Sequence, residues 1–317
     1  MLGLAGLLLV GLLTGVMLLI AYTAWVLSHP PRRTYAAALA SGRAGDPGEL
    51  TPPLPFTLFQ FSSGKHRLDA WDVAGGDPRG PVLVFIHGWG DSRIGALSRI
   101  EALAPAASRL IAWDLPGHGD APGLSAQGAL EAGAVLDLLA ELQHQAGADA
   151  PDGPPSIVLV GWSMGAGIAL HAATEAPKRG LTVRGVIAEA PYRLPKTPAR
   201  RMLISWGLPW RLNLAPALWF LGLARGIGPR WKGFDRREVA ARLSCPLLVL
   251  HGEVDPISPP ADGAAICEAG RGRLAVIPAG GHYGLWTTPA HRAAASAAAL
   301  QFLASLGVPS GSIAREG

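Results

Sequence analysis

Apolar positions in this chain follow two rhythms. From Leu2 to Leu27 they form an almost unbroken run without a charged residue, longer than the roughly 20 residues that carry a helix across a bilayer. A cleaved signal peptide would need a basic start, a shorter apolar stretch and small residues at the cut. No Lys or Arg precedes this run, so a retained transmembrane anchor over residues 2–27 is expected. Tyr22 and Trp25 suit the membrane interface. Arg32 and Arg33 follow directly, and the positive-inside bias then assigns the remainder of a single-pass chain to the cytoplasm. Residues 28–55, rich in Pro, Gly and Ala, read as a linker.

The second rhythm begins at Phe56. Phe56–Phe61 and Arg67–Trp71 alternate around Ser62-Ser-Gly-Lys65, which predicts a hairpin. Short apolar runs then alternate with helix-forming stretches. Strands are expected at Pro81–Ile86, Arg109–Trp113, Ser156–Val160, Val183–Glu189, Pro246–Leu250 and Arg273–Ile277. Helices are expected at Gly95–Ala107, Leu124–Gln145, Ala166–Glu175, Pro260–Ala269 and Pro289–Leu306. This alternation predicts an α/β fold with a mostly parallel sheet flanked by helices. Residues 193–240 break the rhythm and read as a helical cap inserted between two core segments, 56–192 and 241–306, with a tail at 307–317.

Composition adds bounds. At 317 residues, with 49% hydrophobic and 16% charged side chains, the chain can bury a sizeable core and is not a disordered segment. Cys245 and Cys267 have no metal-ligand spacing, and nothing marks an oxidising compartment. The net charge of +4 is uneven: Arg193 to Phe234 carries eight basic residues and no Asp or Glu. Its apolar stretches, Met202–Trp206 and Ala217–Leu221, are interrupted by Pro209, Arg211, Asn213 and Pro216, so it is not a second span. A lid with a small core of its own is the plain expectation. A basic, greasy roof that touches anionic lipid is the sharper one.

The chemistry converges on Gly161-Trp-Ser-Met-Gly165, a G-x-S-x-G between an expected strand and an expected helix. A turn that sharp needs small residues two before and two after the serine, and it aims the Ser163 hydroxyl out of the sheet. A serine hydroxyl is a weak nucleophile until a base takes its proton and an acid holds the base's tautomer. Parallel strands end at one sheet edge. Asp255 and His282 both follow strands, in the chain order Ser163, Asp255, His282. The oxyanion of an acyl-transfer intermediate needs backbone N–H donors. Met164 at the helix start is one candidate, and Trp89 in His87-Gly-Trp-Gly90 the other. His87 reads as structural, bonding its own loop's backbone, and Asp114-Leu-Pro-Gly-His-Gly119 and the remaining histidines read as turn chemistry.

From about Phe56 to Leu306 the chain resembles the α/β-hydrolase superfamily, within it the serine aminopeptidase, monoacylglycerol lipase and lysophospholipase-like group. The resemblance rests on His87-Gly-Trp-Gly90, Asp114–Gly119, Gly161–Gly165, Cys245–Asp255 and Gly281-His282. It implies Ser163 as nucleophile, Asp255 as acid, His282 as base, Trp89 and Met164 as oxyanion donors, and no metal or cofactor. Glu189 is the reserve acid, since some relatives place theirs at that strand end. Asp120 departs from the usual pattern after the Gly-His-Gly turn. The expected function is a membrane-anchored serine hydrolase of a lipid or acyl ester. Amide or peptide hydrolysis, acyl transfer and a non-catalytic binding scaffold are the alternatives. The expected partners are the ester substrate and the membrane, not nucleic acid.

Overall fold

The computed structural model describes residues 3–147 and 154–307. The N-terminal apolar run forms one helix, α1 (Leu4–Ser28). Among the described residues it is the one helix long and apolar enough to cross a membrane. Its first four turns point away from the molecule, but its last turns are docked. Ile20, Thr23, Val26 and Leu27 are buried at the i, i+3, i+4 spacing of one helix face.

Residues 30–55, expected as a linker, also lie on the domain. Helix α2 (Tyr35–Ala40) starts at a Thr34 cap, and a 3-10 turn at Pro47–Glu49 starts at an Asp46 cap. Leu50 and Leu54 pack against the core, and Arg32 donates to the carbonyls of Gly119 and Ala121 at 2.9 Å each. The segment is held by these apolar contacts and by its own polar bonds, with Glu49 accepting from the Gly45 amide at 2.7 Å.

The remaining elements build one eight-stranded sheet. In chain order they are β1 (Phe56–Ser63), β2 (His66–Ala74), β3 (Val82–Ile86), α3 (Leu97–Leu103), β4 (Arg109–Trp113), α4 (Ala132–Ala146), β5 (Ile157–Trp162), α5 (Met164–Glu175), β6 (Gly185–Glu189), α6 (Lys196–Ser205), α7 (Leu214–Ala224), α8 (Arg236–Ala240), β7 (Leu247–Gly252), α9 (Pro260–Ala269), β8 (Arg273–Ile277) and α10 (Pro289–Ser305). The strand order is β1-β2-β4-β3-β5-β6-β7-β8. The β1–β2 and β2–β4 pairs are antiparallel and all others parallel.

The central strands are buried on both faces, which is why their sequences read as unbroken apolar runs. Val82, Val84 and Ile86 of β3 face α4, α5, α8 and α9. Leu83 and Phe85 face the opposite layer, built from α3 and α10. Each such side chain, fully withdrawn from water, contributes about 1.5–3 kcal/mol.

One helix differs from expectation. The stretch expected as helical from Leu124 begins only at Ala132. Gln127 (φ 59°) and Gly128 (φ 82°) are left-handed, which ends any right-handed helix. The buried Glu131 carboxylate accepts from the Ala126 and Leu130 amides instead, and burial pushes its carboxyl above the usual range.

Between β6 and β7 lie α6, α7 and α8. Ala199, Leu203, Leu214, Leu218, Leu221, Trp231 and Phe234 form a small cluster with Tyr192, and Leu27 of α1 completes it. Asn213 Nδ2 donates to Thr23 Oγ1 at 2.6 Å, pinning α7 to α1. The outward side chains Trp206, Trp219, Phe220 and Leu223 are exposed. The basic character of this segment is partly spent internally. Arg193 pairs with Asp235 at 2.5 Å, just beyond the acid-free stretch. Arg200 and Arg211 lie over the Trp210 ring, and Arg201 donates to the Pro256 carbonyl.

Candidate active site

β5 delivers Ser163 at the carboxyl edge of the sheet. The backbone there is strained, with φ 55° and ψ −114°, a region unfavourable for any side-chain-bearing residue. Two glycines permit it. A Cβ on Gly161 would meet the Gly165 and Ala166 backbone, and one on Gly165 would strike the Ile86 and His87 carbonyls. The Ser163 N–H donates to the Glu189 carbonyl at 2.8 Å, fixing the turn to β6.

The loops after β7 and β8 bring in the two other expected residues. His282 Nε2 lies 3.0 Å from Ser163 Oγ. His282 Nδ1 lies 2.7 Å from Asp255 Oδ2. The second Asp255 oxygen accepts from the Ile257 and Ser258 amides at 2.7 and 2.8 Å, so the carboxylate is buried yet fully bonded. With Asp255 accepting at Nδ1, His282 carries its proton there and presents a bare Nε2 to the serine. That tautomer can accept the hydroxyl proton.

Met164 follows Ser163 directly, and Trp89 lies one residue beyond Gly88, which approaches Ser163. Met164 N–H opens α5, where the first amides have no intrahelical acceptor. The loop carrying Trp89 passes close by, since a Cβ on Gly88 would sit 3.3 Å from the Ser163 Cβ. The loop is held from below by His87. Its Nε2 accepts from the Leu115 amide at 2.9 Å, and its Nδ1–H donates to the Gly88 carbonyl at 2.8 Å.

Glu189, the reserve acid, is elsewhere engaged. Arg99 donates to both its oxygens, at 2.8 and 2.7 Å, and Trp286 Nε1 donates at 2.7 Å. The Arg99 guanidinium also stacks on Trp162, 4.1 Å from the ring centroid. The structure thus spends Glu189 on a buried ion pair under the serine and gives His282 to Asp255. Arg99, ninety positions upstream in an amphipathic helix, offers no local signal for this.

His251 is a second residue without a motif role. Buried beside Asp255, its Nε2–H donates to the Ser258 carbonyl at 3.0 Å and stiffens the acid's loop. Burial holds its pKa below the ordinary histidine value, so it stays neutral. Among the described residues no cluster of His, Cys, Asp or Glu could hold a metal ion.

The family model for the alpha/beta hydrolase family matches residues 83–296, about two-thirds of the chain. The chain belongs to the alpha/beta hydrolase family. Among characterised relatives, it is 41% identical over 101 residues to the pimeloyl-[acyl-carrier protein] methyl ester esterase of Methylococcus capsulatus, covering 31% of this chain and 34% of that protein. It is 26% identical over 209 residues to the lysophosphatidylserine lipase ABHD12 of Gallus gallus, covering 65% of this chain and 51% of that one. The chain thus spans about half or less of the length of these relatives. An esterase from Pyrococcus furiosus superposes with a TM-score of 0.65 at 17% identity, covering 88% of this chain and 100% of the other. That likeness is one of fold.

Proposed function

We propose that this alpha/beta hydrolase is a membrane-anchored serine hydrolase that cleaves carboxylic esters of acyl or lipid type through an acyl-enzyme. The observation that carries the reading is the continuous path Asp255–His282–Ser163, with separations of 2.7 and 3.0 Å.

In this mechanism Ser163 Oγ attacks the ester carbonyl as its proton passes to His282 Nε2. Asp255 holds the ring and stabilises the imidazolium. The oxyanion is received by the Trp89 and Met164 amides. His282 then gives its proton to the departing alcohol, leaving an acyl-serine. Water attacks that carbonyl with His282 again as base, and the acid is released. All steps use groups of this chain, with no cofactor or metal invoked.

The test is labelling of the full chain by a fluorophosphonate, with Ser163→Ala expected to lose both labelling and ester turnover by orders of magnitude. Unchanged turnover in that variant overturns the reading. Amide hydrolysis and acyl transfer use the same groups, and product analysis across ester chain lengths separates them. The hydrogen-bonding distances from Asp255 through His282 to Ser163 weigh against a binding scaffold.

Further parts of the reading concern the membrane. α1 is the anchor, and Arg32 and Arg33 favour a cytoplasmic domain. Residues 193–240 act as a cap. Exposed Trp206, Trp219, Phe220 and Leu223, in a segment that also carries Arg225, Arg230 and Lys232, suit contact with a lipid surface. The two relatives named above are a pimeloyl-[acyl-carrier protein] methyl ester esterase and a lysophosphatidylserine lipase, and a lipid ester of the second kind suits an apolar cap beside a bilayer. Reporter fusions and protease accessibility test the topology, and an extracytoplasmic C-terminus would refute it.

A further inference from the structure

The end of α1 meets the loops around Ser163 in a way that anchoring alone does not require. Leu27 is fully buried, and its carbonyl belongs to the last turn of the helix, where acceptors have no intrahelical donor. That one carbonyl receives two side chains from distant loops. Trp89 Nε1 donates at 3.1 Å, and the Gln127 amide donates as well. The next carbonyl, Ser28, accepts from the Ser125 amide at 3.2 Å.

These two loops flank the two amides assigned to the oxyanion. Trp89 supplies one, in the turn pressed against Ser163. The Ser125–Gly128 loop lies on Met164, the other. Ser125 Oγ is 4.0 Å from the Met164 sulfur, and a Cβ on Gly128 would sit 3.0 Å from Met164 Cγ. Gln127 stands at φ 59°, a conformation a glutamine keeps only when its surroundings insist. The insistence here is its buried bond to Leu27. The helix end is itself fixed, because the fully buried Asn213 holds Thr23 one turn earlier.

We propose that α1 sets the geometry of the oxyanion site, its Leu27 carbonyl acting through the Trp89 indole and the Gln127 amide as positioning groups. The inference rests on the serine-hydrolase reading above. Its consequence is that the membrane helix is part of the catalytic framework as well as a tether. How α1 is seated against α7 then controls the rate of acylation. Transition-state donors tolerate little displacement: about 1 Å of misplacement can cost a hundredfold, and losing a donor outright costs a hundred- to a thousandfold.

The test uses the full chain in nanodiscs with a short water-soluble ester, so that access from lipid does not enter. Trp89→Phe keeps the backbone amide and an aromatic ring, smaller than the indole, but removes the indole N–H. Gln127→Leu removes the second donor. Asn213→Leu loosens α1 without touching either loop. Each should lower kcat/KM, Trp89→Phe by about ten- to a hundredfold, with KM within about twofold. The inhibition constant of a boronic acid, which forms a tetrahedral adduct on the serine, should rise by the same factor. A contact that only stabilises the fold would move the melting temperature and neither quantity. Trp89→Phe with Gln127→Leu should be less than additive, as both act through one carbonyl. Should Trp89→Phe not fold, the other two variants decide. Wild-type kcat/KM and boronate affinity in the folded variants overturn the proposal. A wild-type chain that forms neither boronate nor fluorophosphonate adduct instead overturns the serine-hydrolase reading, and this proposal with it.

Discussion

Glu189→Gln separates a structural carboxylate from a catalytic one. Glu189 is 3% exposed and accepts three charge-assisted or indole hydrogen bonds, from Arg99 twice and from Trp286. The substitution keeps the shape but leaves the Arg99 guanidinium, whose side chain is 10% exposed, without its counter-charge. Removing one partner of a buried pair costs about 3–5 kcal/mol, most of it the uncompensated charge. For a domain of this size, at roughly 2–4 °C per kcal/mol, the melting temperature should fall by about 6–20 °C. The charge-free pair Arg99→Met with Glu189→Leu should recover a good part of that loss. Turnover per folded molecule, measured well below the new melting temperature, should stay within about tenfold of wild type, because His282 keeps Asp255. The assay pairs thermal unfolding with kcat/KM normalised to fluorophosphonate-titrated sites. A Glu189→Gln protein with wild-type melting temperature and a rate reduced about 10⁴-fold would refute the reasoning and return Glu189 to the acid's role.

Further expectations can be checked on the same chain. Asp255→Asn should lower kcat by about 10⁴, because an amide favours the wrong His282 tautomer; a loss under tenfold would exclude Asp255 as the acid. Gly165→Ala should give little folded protein, since the new methyl meets the backbone carbonyls of Ile86 and His87. Gly133→Ala on α4 meets open space and should instead stabilise by about 0.5–1 kcal/mol; melting curves of the pair decide. His118 is pushed down to about 3, chiefly by burial, and its Nε2 has no hydrogen-bond partner among the described residues. Its unfolded form gains a proton below about pH 6.5, so this contribution is intact above that pH. It is lost as pH falls toward 3, at up to about 1.4 kcal/mol per unit. His118→Gln should flatten the acid limb of the stability curve, and an unchanged slope between pH 6 and 4 would contradict the burial argument.

Much of the architecture was legible because it is periodic. The runs at Val82–Ile86 and Ile157–Trp162 are buried on both faces, and their sequences say so. The serine turn was legible because Gly161 and Gly165 sit where a Cβ cannot. Asp255 and His282 could be placed because each follows a strand whose end has a known edge. What stayed hidden depends on single contacts between remote positions. Arg99 and Glu189 are ninety residues apart, and Leu27 and Gln127 one hundred; no local pattern encodes either pair. The delayed start of α4 reflects two left-handed residues, of which only Gly128 carries a signal. Residues 28–55 read as a linker in sequence because Pro and Gly mark irregular backbone, which is a statement about conformation and not about attachment.

The docking of α1 has a consequence for bilayer thickness. From Leu4 to Leu18 its side chains stand largely clear of the domain, and those 15 residues measure about 22 Å at 1.5 Å each. A hydrocarbon core is about 30 Å thick. Placed across a bilayer, those 15 residues would cover about three-quarters of that thickness, while the turns that follow bury Thr23, Val26 and Leu27 in the protein interior and leave Tyr22 and Trp25 exposed on the other face. In that placement the half-docked end of α1 would bring the outer face of α7, with Trp219, Phe220 and Leu223, toward the near leaflet, or thin the lipid beside it. Either response would make hydrophobic mismatch a force on the helix end that holds Trp89, so membranes of different thickness would load the same hydrogen bond differently.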